Sequence, residues 1–61
     1  MAKKLIVVEN NLVKKFVKLA NEKGVEKIVV IDSTLGLKHI TLVGHHSTLK
    51  KLILDFAMEN R

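Results

Sequence analysis

The sequence predicts one α+β domain over residues 1–61, with its elements in the order β-α-β-β-α. Three observations carry that prediction. Short β-branched apolar runs alternate with segments of helical periodicity, a glycine-containing turn separates two of the runs, and a β-α pattern recurs 36 residues later.

Leu5-Ile6-Val7-Val8 is the first strand, entered through Lys3 and Lys4. Asn10 or Asn11 then offers a side-chain oxygen to the free N–H groups of a helix start. Leu12, Val13, Phe16, Val17, Leu19 and Ala20 repeat at helical spacing, with Lys14, Lys15 and Lys18 on the opposite side. Gly24 stands where a left-handed stop is needed. Lys27-Ile28-Val29-Val30-Ile31 is a second strand, apolar on both faces. Asp32-Ser33-Thr34-Leu35-Gly36 has the composition and length of a hairpin turn with its glycine left-handed, and Asp32 opens it. Leu37 to Val43 alternates, setting Lys38, Ile40 and Leu42 against Leu37, His39, Thr41 and Val43. Gly44-His45-His46 breaks the alternation. His46 or Ser47 would cap a second helix whose apolar set is Leu49, Leu52, Ile53, Phe56 and Ala57.

A shift of 36 residues lays Ile6-Val7 on Leu42-Val43, Val13 on Leu49, Lys14-Lys15 on Lys50-Lys51, and Phe16-Val17 on Leu52-Ile53. The β-α unit is thus present twice, with a strand and a turn between. This is the logic of the ferredoxin-like split βαβ fold lacking its last strand, with two helices on one face of a three-stranded sheet. The other face would take Leu5 and Val7 or Ile6 and Val8 from the first strand, and Ile28 and Val30 or Val29 and Ile31 from the second. Either choice leaves an apolar open face, and the absent strand leaves the first strand as a bare edge. Both features predict a homo-oligomer, a dimer in the first instance, which a charge at Val7 or Val30 should dissociate.

Composition narrows the function classes. Eleven Lys+Arg against six Asp+Glu give a net charge of +5, which favours anionic partners. Arg61 is the only arginine, so bidentate reading of bases or phosphates is a poor fit. Both aromatic residues, Phe16 and Phe56, belong to helical apolar patterns, which argues against a sheet that stacks bases. A nucleic-acid binder using helix lysines would instead show a steep salt dependence. There is no cysteine, hence no disulfide or thiolate site. No apolar run spans a bilayer and the short basic N-terminus is not a signal peptide, so a cytoplasmic protein without membrane partners is expected.

His39, His45 and His46 lack the spacing of a metal site, and no metal or cofactor is expected. The strand-helix junction is the candidate anion site. Gly44 permits close backbone approach, and the helix start offers free N–H groups. His46, Ser47 and Thr48 add polar groups, and Lys50 and Lys51 bring two cations into the first turn, where the helix dipole disfavours them and a bound anion would reverse that penalty. His45 or His46 could act as a general acid or base, since imidazole titrates near neutrality.

The run Ile40-Thr41-Leu42-Val43-Gly44-His45-His46-Ser47-Thr48 resembles the Gly-His-x-Ser-Thr motif of the viral anti-CRISPR ring nucleases, where it also follows a strand and opens a helix. Lys4 to Val17 is loosely similar as well. The resemblance implies a dimer that binds and cleaves cyclic tetra-adenylate. In that mechanism a ribose 2′-OH attacks the adjacent phosphodiester and His45 protonates the leaving 5′-oxygen, while Ser47 and Thr48 hold phosphate. The downstream arginine and carboxylate of that family have no counterpart here. The sequence-based reading is therefore a small oligomeric anion- or nucleotide-binding protein, with phosphodiesterase action on a cyclic oligoadenylate as its catalytic form. The alternative is a non-enzymatic oligomerisation or regulatory module, or a designed scaffold of the same fold without activity.

Overall fold

The computed structural model describes residues 1–59; Asn60 and Arg61 lie outside the described residues. Strand β1 (Ala2–Glu9) leads through a 3-10 turn (Asn10–Leu12) into helix α1 (Val13–Lys23). Strands β2 (Lys27–Asp32) and β3 (Leu37–Gly44) form a hairpin, and helix α2 (His46–Glu59) follows directly. The sheet order is β1-β3-β2, with β3 antiparallel to both neighbours. β1 and β2 therefore run parallel on either side of β3, joined by the α1 crossover. This is the expected split βαβ arrangement, with no fourth strand among the described residues.

Strand pairing decides which apolar set faces the helices. Ile40 and Leu42 are fully buried, and Val8 is nearly so. The register sets Ile6 beside Ile40 and Lys4 beside Leu42, which fixes Leu5 and Val7 on the open side. On β2, Ile28 lies beside Leu42 and Val30 beside Ile40, so Val29 and Ile31 face outward. Val30 thus belongs to the helix side, contrary to its use as an open-face probe. It remains part-exposed because β2 is an outer strand of the sheet.

The core joins Val8, Ile40 and Leu42 of the sheet to Phe16 and Ala20 of α1 and Leu49 and Leu52 of α2. Phe16 and Leu52, equivalent in the sequence repeat, are both fully buried. The Phe56 ring meets Phe16 edge-on, with centroids 4.9 Å apart and planes at 89°. Ala57, grouped with this set by periodicity, is exposed near the end of α2. Lys23 and Asp55 form an ion pair between the helices, part-exposed and so of minor energetic weight.

Helix starts depart most from expectation. Neither asparagine caps α1: Asn10 and Asn11 lie in the 3-10 turn, and no side-chain cap bond forms there or at Leu12. The Asn10 N–H instead donates to the Gly36 carbonyl at 2.7 Å, tying the end of β1 to the hairpin. β1 is longer than its apolar run because Ala2, Lys3 and Lys4 still have partners on the eight-residue β3. The stop of α1 is as expected. Gly24 is left-handed (φ 85°), and the Val25 N–H donates back to Ala20 O at 3.2 Å.

The hairpin holds a local conflict. The Leu37 N–H donates to Thr34 O, and both residues between them have positive φ, Leu35 at 59° and Gly36 at 74°. That is the signature of a type I′ turn, which favours asparagine or glycine at its first central position. Leucine there carries a left-handed penalty of roughly 1–2 kcal/mol. Its side chain is 95% exposed and packs on little that could compensate. Leu35→Asn is therefore expected to raise unfolding stability by about 1 kcal/mol. Urea titration checks this, and an unchanged midpoint would contradict it. Asp32 does not open the turn: it ends β2 opposite Lys38 and forms an ion pair with it.

Candidate functional site

The junction between β3 and α2 is tight. The Glu26 N–H donates to Val43 O at 2.9 Å, bringing the segment before β2 against the end of β3. Gly44 is buried there, and a Cβ on it would lie 3.5 Å from Glu26 N and from Leu49 Cδ2. A Cβ there would make ordinary van der Waals contact, so packing does not demand a glycine, and its burial gives a ligand little access to the backbone. α2 begins at the nearer expected cap itself, one residue earlier than a His46 cap would set it. His46 is its first residue, and the Leu49 N–H donates to His45 O at 3.0 Å. Lys50 and Lys51 consequently sit in the second turn, where the helix dipole acts on them less than the sequence argument assumed.

The expected cluster is divided. His46 and Lys50, one helical turn apart, line a shallow groove of 240 Å³ with Ile53 of α2 and Lys4 of β1. Ile53 continues the same helix face, as the spacing 46, 50, 53 requires. Lys4 reaches the groove because it alternates with Ile6 and Val8 on the helix side of β1. Sequence reasoning missed Lys4, since its place depends on long-range pairing; its alternation with Ile6 and Val8 was the available signal. His45, Ser47 and Lys51 are exposed and Thr48 is half-buried, but none of them lines the groove. The groove thus holds His46 and not His45, the histidine to which the resemblance gives the catalytic role.

Three side chains capable of positive charge surround an apolar floor, and no carboxylate among the described residues lines the groove. Such a lining suits a phosphate or a small phosphorylated group. The volume falls below that of usual small-molecule pockets. No acidic group lies in the first turn of α2, so the helix dipole adds to the positive field. Acid–base catalysis would need more. Among the described residues, no carboxylate lines the groove to orient the His46 ring and no nucleophile lines it either. Among the described residues no three histidine, aspartate or glutamate side chains converge as metal ligands, and His39 lies across the sheet.

The open sheet face is the second feature. Its rows, read from β1 through β3 to β2, are Lys3-Val43-Lys27, Leu5-Thr41-Val29, Val7-His39-Ile31, and Glu9-Leu37. Leu5 is 65% exposed, Ile31 55%, Val7 54% and Val29 37%. Charge is confined to the first and last rows, and His39 and Thr41 occupy the centre on β3. No helix of the described residues is long and apolar enough to cross a membrane. No family model matches the chain, and no curated protein or solved structure matches it either.

Proposed function

We propose that the protein is a non-enzymatic assembly module whose working form is a homo-oligomer, in its simplest form a dimer, joined through the open sheet face. The observation that carries this reading is the pair of exposed apolar strips on that face, Leu5 and Val7 of β1 and Val29 and Ile31 of β2, which flank Thr41 and His39 of β3. A small domain gains much from covering such a patch, because its own core is limited by its surface-to-volume ratio. The outer strands are poorer contacts. Lys3 and Lys4 on β1 and Lys27 on β2 place charge along them, the usual device against edge pairing. Sedimentation velocity over a range of concentrations tests the reading. A mass that rises with concentration supports it, and a monomer at the highest soluble concentration removes it.

A second reading, anion or nucleotide binding, is favoured by the convergence of Lys4, His46 and Lys50. It requires no cleavage, and it leaves His45 outside the contact. Calorimetric titration with inorganic phosphate and with cyclic tetra-adenylate tests it. The double variant Lys4→Gln/Lys50→Gln should lower affinity by about tenfold or more, from the loss of two charge-assisted contacts. His45→Ala should bind as the parent does. Equal heats for parent and double variant would remove the groove from consideration.

A further inference from the structure

We infer that a second copy of this chain covers the open face with its strands antiparallel to those beneath, about a two-fold axis running across the strands. The inference rests on the assembly reading above and names the geometry of the contact. With the strands kept aligned, two symmetric ways exist to lay this face on itself, and the charged rows separate them. With the axis across the strands, each strand lies over its own equivalent with its direction reversed, allowing for the usual twist of about 30° between packed sheets. The four rows of the face then meet in reverse order, so Lys3 of one copy comes opposite the partner's Glu9. With the axis along the strands, β1 lies over the partner's β2 and Lys3 comes opposite the partner's Lys27, twice by symmetry. The first arrangement pairs opposite charges at the rim and the second opposes like ones.

The centre of the face favours the same choice. Thr41 and His39 are adjacent outward residues of β3, in the two middle rows. Reversing the rows sets the Thr41 hydroxyl against the partner's His39 imidazole, and the reciprocal pair forms by symmetry. Each polar side chain that the contact removes from water thereby gains a partner. Leu5 lies over the partner's Val7, and Val29 over the partner's Ile31, which closes the apolar rows. Three strands about 4.8 Å apart and eight residues of about 3.3 Å each give a footprint of roughly 25 by 15 Å. At roughly 375 Å² per copy that lies below the standard range for a specific interface, so the dimer should be weak and concentration-dependent.

The test measures dimer dissociation constants by sedimentation for the parent, Lys3→Glu, the double variant Lys3→Glu/Glu9→Lys, and Ile31→Lys, with urea unfolding to confirm the fold. Lys3 and Glu9 are exposed, so folding should survive their exchange. Lys3→Glu should weaken the dimer by roughly tenfold, because it sets two carboxylates together at both ends. The double variant should restore the parent value. A tighter dimer with Lys3→Glu would establish the other axis, by relief of the Lys3–Lys27 opposition, and an unchanged one would equally overturn the antiparallel arrangement. A dimer that survives Ile31→Lys would move the contact off the face and onto the β1 edge, overturning the proposal. A monomeric parent would instead remove the assembly reading itself, an outcome distinct from a dimer of the wrong geometry.

Discussion

Phe16→Ala is expected to leave the protein largely unfolded at room temperature. Phe16 is fully buried where both helices and the sheet meet, and it carries the edge-on contact with Phe56. Removing a buried phenyl ring costs about 3–5 kcal/mol through lost transfer energy and the cavity left behind. A chain of 61 residues has a total stability of roughly 3–9 kcal/mol by the usual per-residue scale. The loss is therefore comparable with the whole. Phe16→Leu keeps most of the volume and should cost much less, so the pair separates loss of packing from loss of aromatic character. Far-UV circular dichroism with urea titration reads both. A cooperative transition for Phe16→Ala close to the parent midpoint would mean that the core is organised around other residues.

The centrality of Phe16 was legible in the sequence because helical periodicity is a local signal. The repeat marked the same point, since it laid Phe16 on Leu52, and both prove fully buried. Order and type of the elements followed from the same periodicities. Less was legible where two choices were locally equivalent. β1 and β2 are apolar on both faces, so only their pairing with β3, whose Ile40 and Leu42 alternate with more polar neighbours, could say which side meets the helices. That is why Val30 reads equally well as inward or outward until its place beside Ile40 is known. Helix starts were misread for a different reason. The asparagines before α1 resemble caps, yet the Asn10 N–H is satisfied by the Gly36 carbonyl, a partner 26 residues away that no local rule foresees. The groove illustrates the same limit: His46, Lys50 and Ile53 share a helical face by spacing, whereas Lys4 joins them only through sheet topology.

Ile31→Lys is expected to convert the proposed homo-oligomer to monomer without unfolding the chain. Ile31 lies on the open face beside His39 and is 55% exposed, so in a lone chain a lysine there can keep its ammonium in water. Covered by a second copy, the same ammonium has neither water nor a facing carboxylate. The penalty is of the order of several kcal/mol, at least a hundredfold in dissociation constant. Val7→Lys, across β3 from Ile31, should act alike. Val30→Lys provides the contrast, because its side chain faces the helix side and its charge does not enter the sheet contact. Thermal unfolding gives a second readout. A protein stabilised by its own association melts higher as its concentration rises, and that dependence should vanish in Ile31→Lys and Val7→Lys while persisting in Val30→Lys. If all three variants sediment as the parent does, the apolar face is not what holds the copies together. If Val30→Lys alone dissociates, the contact lies around the helix side of β2, and the exposed centre of the sheet must have some other use.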